Sequence, residues 1–231
     1  MPDGGVAGMC NPMLQDCPEG EKCTAYSTDG DGPPAAPWNA NKCVPATGSG
    51  QEGDSCDIEG GKYTGMDNCD AGLICLQTDD DGKGGACVSF CESGMTCANP
   101  DAQCAVYNDG SLPICLVTCD PLLQDCPAGQ GCYAAAGGGA FICFKFSGMP
   151  GEGLQGDECN YVNACSPGTA CLPPDSVSGC GAQGGCCSPY CDLTDPNADA
   201  GCQQGEMCVA WFEMGMAPPG FEDVGVCAIP Q

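Results

Sequence analysis

Cysteine content is the feature that most limits how this chain can fold. The sequence has 26 cysteines among 231 residues, and the even number allows every cysteine to form a disulfide. Leu, Ile, Val and Phe together number only 31, and the net charge is −26. Such a chain cannot bury enough apolar surface to offset its conformational entropy. Disulfides must therefore supply the stability, which predicts an extracellular or cell-surface protein, exported to an oxidising compartment.

The charged residues limit the classes of partner. The chain has five lysines, no arginine, no histidine and 31 acidic residues. Because such a surface is unsuited to phosphates, we expect neither nucleic-acid binding nor membrane insertion. No apolar run reaches the length of a membrane helix. Residues 1–9 lack the regions of a signal peptide, so we expect a mature or trimmed chain. We expect protein partners, including copies of the chain itself.

A repeat divides the sequence into two homologous halves. Residues 10–20 (CNPMLQDCPEG) match residues 119–129 (CDPLLQDCPAG) without a gap. Extending the match aligns about 10–115 with about 119–227 and gives each half three modules of four cysteines.

We assign 1–43 to module 1, 44–55 to a linker, 56–143 to modules 2–4, 144–158 to a second linker and 159–231 to modules 5 and 6. In module order the cysteines are Cys10, Cys17, Cys23 and Cys43; Cys56, Cys69, Cys75 and Cys87; Cys91, Cys97, Cys104 and Cys115; Cys119, Cys126, Cys132 and Cys143; Cys159, Cys165, Cys171 and Cys187; Cys191, Cys202, Cys208 and Cys227. The remaining two, Cys180 and Cys186, are predicted to form an added local bridge.

The spacing within each module predicts a β-hairpin. In five of the six modules a glycine lies midway between the second and third cysteines, which is typical of a tight turn with positive φ. Short β-prone segments such as 105–107 and 114–116 flank the turn sequence Asn108-Asp109-Gly110. No helical periodicity is present. We therefore expect a small disulfide-rich, all-β fold: an elongated tandem array of short β-hairpin modules with little or no helix.

Disulfide connectivity within a module is open to three pairings. We favour pairing the first cysteine with the third and the second with the fourth. This choice crosses the turn and ties the hairpin to the segment that enters it.

Spacing also carries a family resemblance. Residues 53–56 (GDSC) and 69–75 (CDAGLIC), followed by Cys87 and Cys91, resemble the Dickkopf amino-terminal cysteine-rich region, EGF-like modules and related arrays in exported bacterial proteins. The likeness covers cysteine and glycine spacing over most of the chain. It implies an extracellular, non-catalytic β-hairpin module, and no ligand or binding residue is carried over from it.

Catalytic and thiolate-metal chemistry are poorly supported. Without histidine the usual nucleophile–base and histidine–metal arrangements are absent, so we expect no enzyme and no cofactor. The repeated gap of five or six residues between cysteines does not match the shorter gaps of zinc knuckles.

Calcium is the one metal that the sequence supports. Acidic loops at 29–32, 79–82 and 192–199 place hard oxygen ligands at short spacing, although none fits an EF-hand. The third loop is the best candidate, through Asp192, Asp195, Asn197 and Asp199. The alternative for each loop is a solvated acidic turn.

The most apolar of the long loops between cysteines predicts an interaction patch. It contains Trp211, Phe212, Met214, Met216 and Phe221, and such side chains either cap their own module or anchor a partner. We therefore expect a non-enzymatic extracellular structural or interaction protein: a disulfide-stapled spacer, an adhesin, or the subunit of a surface assembly or fibre. The alternative is a secreted binding or inhibitory module, such as a protease inhibitor.

Overall fold

Two compact units make up the chain, Met1–Leu116 and Val117–Gln231. The structure, a computed structural model, describes residues 9–30, 38–127, 129–135 and 139–230. The boundary between the units lies in the three-residue spacer from Cys115 to Cys119. The predicted repeat passes from its first half to its second in the same spacer.

Unit 1 (Met1–Leu116) contains three small sheets, one for each of modules 1 to 3: β1 with β2, then β3, β5 and β4 in that order, then β6 with β7. The strands are β1 (Glu21–Tyr26), β2 (Ala40–Pro45), β3 (Ser55–Cys56), β4 (Leu73–Leu76), β5 (Gly85–Ser89), β6 (Ala102–Tyr107) and β7 (Leu112–Val117).

Unit 2 (Val117–Gln231) contains a two-stranded sheet in module 4 and a four-stranded sheet that modules 5 and 6 share, in the order β10, β11, β13, β12. The strands are β8 (Gln130–Ala134), β9 (Phe141–Lys145), β10 (Thr169–Leu172), β11 (Cys186–Asp192), β12 (Met207–Ala210) and β13 (Val224–Ala228). Strand β11 joins the modules because its first half pairs with β10 and its last three residues pair with β13.

The prediction of a small disulfide-rich, all-β fold is confirmed. Helical structure in the described residues is confined to four 3₁₀ turns, Asn108–Gly110, Val162–Ala164, Pro174–Ser176 and Ala198–Gly201. None of these segments has the length and hydrophobicity that a membrane span needs.

Disulfides follow the favoured pairing in all six modules. The first cysteine bonds the third and the second bonds the fourth, as in Cys10–Cys23 and Cys17–Cys43. The third and fourth cysteines of module 1, Cys23 and Cys43, lie directly opposite each other in the β1–β2 hairpin. Cys23 and Cys43 therefore do not bond each other, and each bonds a cysteine of the segment that enters the hairpin.

The remaining bridges repeat this pattern: Cys56–Cys75, Cys69–Cys87, Cys91–Cys104, Cys97–Cys115, Cys119–Cys132, Cys126–Cys143, Cys159–Cys171, Cys165–Cys187, Cys191–Cys208 and Cys202–Cys227, with Cys180–Cys186 as the added local bridge. All 26 cysteines are thus paired. So many disulfides require an oxidising compartment.

Cysteines also form most of the buried clusters of modules 2 and 5. In module 2 the buried cluster consists of four half-cystines with Ile58 and Leu73, and in module 5 it consists of Cys159, Cys165 and Cys187. The sulfur atoms therefore fill the interior as well as cross-link it, as expected for a chain with few large apolar residues.

Both segments predicted to be linkers pack against the module that follows them. The Gly50 N–H donates to the Asn68 carbonyl at 3.0 Å, and the Gly153 carbonyl accepts from the Ser166 N–H at 2.8 Å. Gly48 lies so close that a Cβ there would be 2.0 Å from the Asn68 oxygen. A side chain at Gly48 or Gly153 would therefore collide with the backbone of the module that follows.

A polar side chain fastens module 1 to module 2. Lys22, on β1, is fully buried, and its Nζ lies 2.5 Å from Oδ1 of Asp67. The same Nζ donates to the carbonyl oxygens of Cys69 at 2.9 Å and Leu73 at 3.1 Å. All three ammonium protons have acceptors, so the buried charge is fully satisfied.

Module 4 is fastened to module 5 by a neutral counterpart. Tyr133, buried on β8, donates its hydroxyl to the Cys165 carbonyl at 2.9 Å. Cys165 corresponds to Cys69 in the repeat, and Gly131 corresponds to Lys22. A Cβ at position 131 would lie 2.7 Å from the Tyr133 hydroxyl oxygen, so the glycine leaves room for the ring where unit 1 has a lysine.

Candidate interaction surface

The predicted apolar loop is built from turns that follow β12. The Trp211 N–H donates to the Val224 carbonyl at 3.0 Å, which closes the base of the loop. Within it, the Met216 N–H donates to Glu213 at 2.9 Å and the Phe221 N–H donates to Pro218 at 3.0 Å. These bonds hold residues 211–221 in a defined shape above module 4.

The aromatic residues of this loop surround Phe141 of module 4. Phe141, on β9, is fully buried. Its ring centroid lies 5.7 Å from that of Trp211, 6.1 Å from that of Phe212 and 5.4 Å from that of Phe221. Tyr190 of β11 completes the cluster, with its ring 5.7 Å from Phe141 and 5.6 Å from Trp211. Edge-to-face and tilted contacts at these distances are favourable for aromatic rings.

This cluster divides the predicted interaction patch in two. Trp211, Phe212 and Phe221 are half-buried and contact module 4 of their own chain. They join modules 4 and 6, a contact between modules of the same chain that the sequence did not predict. Met214 and Met216 are the exposed part of the predicted patch, at 102% and 70% exposure.

Burial among these rings raises the pKa of the Tyr190 phenol, against a smaller opposing effect of the Ala134 backbone N–H. The phenol is therefore neutral over the physiological range and contributes to the cluster as an apolar ring with a hydrogen-bonded hydroxyl.

An apolar groove adjoins the methionine loop. It has a volume of about 450 Å³. Its lining comes from β10, β12, β13 and the chain end: Leu172, Ser176, Val209, Ala210, Trp211, Val226, Ala228, Ile229 and Pro230. Trp211 belongs to both the groove and the Phe141 cluster. The groove was not predicted, although alternation of Val209 with Trp211 and of Val226 with Ala228 marks one face of neighbouring strands.

Acidic side chains flank the exposed methionines. Glu213 precedes Met214, and Glu222 and Asp223 follow the loop, all three exposed. We call Met214, Met216 and the adjoining groove the module 6 surface. It offers apolar contact within a negatively charged frame, which favours a partner with basic side chains.

The acidic loop 192–199 uses its carboxylates to form turns. Asp192 Oδ1 accepts from the Thr194 hydroxyl at 2.6 Å and from the Thr194 N–H at 2.8 Å. These two bonds, the hydroxyl first, hold the pKa of Asp192 below its usual value. Asp195 Oδ1 accepts from the Asn197 N–H at 2.8 Å.

The fourth residue of the predicted calcium site contacts a strand. Asp199 Oδ1 accepts from the Cys208 N–H on β12 at 2.8 Å. Each carboxylate therefore already has a structural bond, as in the solvated-turn alternative. The calcium site stays a prediction.

The two other acidic loops differ in how much of them is described. Asp79 accepts from the N–H groups of Asp81 and Lys83 at 3.0 and 2.8 Å, and Asp80 lies 2.9 Å from Lys62. In the first loop only residues 29 and 30 are described, so the part of that prediction at 31 and 32 lies outside the described residues.

Groups of three cysteines also approach within 4.8 Å of one another in several modules, for example Cys56, Cys69 and Cys75. Each of these sulfurs is in a disulfide, and a disulfide sulfur lacks the thiolate charge that binds zinc or copper.

Comparison with family models, with curated proteins and with solved structures gives no match to this chain. The Dickkopf-like and EGF-like resemblance therefore stays a prediction from cysteine spacing.

Proposed function

We propose that this chain is a non-enzymatic extracellular structural and interaction protein, a disulfide-stapled spacer that contacts other proteins through the module 6 surface. The observation that carries the proposal is the combination of local covalent stability with apolar side chains left exposed beside a groove. Met214 is fully exposed while Trp211, at the base of the same loop, is fixed against Phe141. A contact residue on a fixed support loses little entropy when it binds.

Stability in this chain is distributed over modules. Every module has two bridges of its own, and further contacts join modules within each unit, as at Lys22 and Tyr133. In a molecule built in this way, opening of one module does not open the others, so local damage by unfolding or proteolysis stays local. That property suits an adhesin, a spacer or a subunit of a surface assembly.

Imaging of native material tests this proposal. Negative-stain electron microscopy with an antibody against the chain should locate it outside the cytoplasm, in a surface layer, fibre or complex. Purified Met214→Ser/Met216→Ser protein should no longer sediment with the proteins of the native assembly. Leu154→Ser, a change at another exposed apolar residue, should sediment with them as the native chain does. Free monomers at high concentration, with no partner in native material, would refute the role.

A second candidate function is favoured by the same loop. Met214 lies between two flanks fixed by Trp211 and Phe221, with its side chain pointing into solvent. A rigid loop that presents exposed apolar side chains is the form that protease inhibitors use. Inhibition of a protease panel that Met214→Asp abolishes would support this candidate, and absence of inhibition across the panel would exclude it.

A further inference from the structure

The longest sequence match between the halves forms a closely bonded turn. In unit 1, Gln15 has φ 49°, and its side-chain oxygen accepts from the Cys23 N–H at 3.0 Å. Asp16 accepts from the Asn11 N–H at 2.8 Å. Pro12 is buried beneath the turn.

Unit 2 repeats the same turn. Gln124 has φ 51° and accepts from the Cys132 N–H at 3.1 Å. Asp125 accepts from the Asp120 N–H at 3.0 Å, and Pro121 is fully buried. We call residues 10–17 and 119–126 the twin turns.

One identical residue of the twin turns is an exposed leucine in both halves. Leu14 is 59% exposed and Leu123 is 72% exposed. The Leu14 N–H donates to the Asn11 carbonyl at 3.0 Å, and the Leu123 N–H donates to the Asp120 carbonyl at 3.2 Å. These are backbone bonds, which other residue types would make equally well. Single exposed leucines are ordinary on protein surfaces. Here, however, an exposed leucine occupies the matching position of both halves.

The exposed leucine used below as a control, Leu154, has no apolar counterpart in the other half. Leu154 is 53% exposed, and the position that matches it in unit 1, two residues before Gly53, is Gln51. Proline, glutamine, aspartate and cysteine in the twin turns are explained by burial, hydrogen bonds and disulfides. The leucine is the identical residue that the fold does not explain.

We propose that the twin turns are two copies of one recognition site, in which Leu14 or Leu123 enters an apolar pocket on a basic partner protein. Exposed Asp16 and Asp125 lie two residues beyond the leucines, and neither turn contains a basic residue. The pocket of the partner therefore has lysine or arginine side chains at its rim. A second copy of this chain is disfavoured, because each copy has a net charge of −26.

This inference rests on the proposed role as an interaction protein, but it uses residues outside the module 6 surface. Loss of association in Met214→Ser/Met216→Ser protein therefore tests the proposed role of the module 6 surface. Loss of association in twin-turn variants tests the recognition site at the turns, and either result can occur without the other.

The experiment uses the full chain as the probe. Photoreactive leucine is placed at position 14, 123 or, as the matched control, 154, and each protein is applied to intact native material before illumination. Positions 14 and 123 should cross-link one and the same partner, at a pocket lined by apolar residues and flanked by lysine or arginine. Position 154 should not cross-link it.

Calorimetry with the purified partner then counts the sites. The native chain should bind two copies, Leu14→Ser and Leu123→Ser should each bind one, and the double variant should bind none. Binding should weaken as salt concentration rises. A disulfide map identical to that of the native chain shows that each variant is folded.

Three results would overturn the proposal. The first is cross-linking at 14 and 123 no greater than at 154. The second is capture of different partners by the two positions. The third is cross-linking between copies of this chain, since the occupant would then be the chain itself.

Discussion

Replacing Lys22 with methionine tests the contact that joins module 1 to module 2. Lys22→Met keeps most of the side-chain volume but removes the charge and the three hydrogen bonds of Nζ. It leaves Asp67 buried, with only the N–H groups of Cys69 and Cys75 to stabilise its carboxylate, at 2.9 and 3.0 Å. Removing one partner of a buried ion pair costs about 3–5 kcal/mol.

The second half of the repeat supplies the control. The residue that matches Asp67 in unit 2 is Asn163, whose amide donates to the Lys145 carbonyl at 3.0 Å, and Gly131 stands where unit 1 has Lys22. Lys22→Met/Asp67→Asn should therefore recover most of the loss, since no unpaired charge remains. The coupling energy between the two positions should exceed about 3 kcal/mol, since the double variant loses less than either single variant. Asp67→Asn alone leaves the ammonium unpaired and should cost about as much as Lys22→Met.

Amide hydrogen exchange measured by mass spectrometry is the suitable assay, because a chain with 13 bridges does not unfold in one two-state step. A loss of 3–5 kcal/mol corresponds to exchange that is faster by roughly two to four orders of magnitude in residues 67–76. Exchange in module 5 serves as the internal reference. Unchanged exchange in Lys22→Met, or additive losses in the double variant, would refute the reasoning.

Three further predictions concern unit 2. Tyr133→Phe should cost roughly 1–3 kcal/mol by leaving a buried carbonyl unpaired. Burial raises the pKa of Tyr133 from 10.0 to about 12, so native stability in thermal melts should be unaffected below pH 10.0 and should fall as the pH rises towards 12. The fall should be smaller in Tyr133→Phe, which keeps only the contribution of the other buried phenols, such as Tyr190. Phe141→Ala should cost about 3–5 kcal/mol and release loop 211–221, with red-shifted tryptophan emission. Replacing Cys180 and Cys186 with alanine should cost about 2 kcal/mol by hydrogen exchange, less than any module bridge, because the cysteines lie only six residues apart.

Each of these has a contrary outcome. Equal alkaline stability of native and Tyr133→Phe protein would show that the phenol is not the group responsible. Unchanged emission in Phe141→Ala would mean that the loop keeps its position without the central ring. A loss at Cys180–Cys186 as large as that for Cys202–Cys227 would contradict the dependence on loop length.

The module pattern could be predicted because its causes are local. A glycine with positive φ lies between the second and third cysteines at Gly20, Gly72, Gly129, Gly168 and Gly205, with φ of 79–94°. The hairpins and the pairing follow from cysteine positions that repeat at short spacing. Such signals are contained within one module and are visible without knowledge of the rest of the chain.

The contacts between modules could not be predicted in the same way. Lys22 is one of five lysines in an acidic chain, and nothing near it in sequence indicates burial. Its partner Asp67 lies in the next module. Phe141 belongs to a short hairpin, whereas Trp211 and Phe221 lie in a long loop two modules later. Hydrophobic loop residues were predicted as a single patch because sequence does not show which of them finds a ring to pack against.

The two halves show how such contacts change while the cysteine framework stays. Lys22 with Asp67 in unit 1 and Tyr133 with Gly131 in unit 2 both place a donor on the carbonyl of the second cysteine of the next module, at Cys69 or Cys165. One arrangement uses a buried ion pair and the other a neutral phenol, and Asn163 replaces the carboxylate where the lysine is absent. Because each module has its own two bridges, an imperfect intermediate between these arrangements weakens one junction without unfolding its neighbours. The acceptor at the second cysteine is therefore the fixed element of the junction, and its donor is the part free to change.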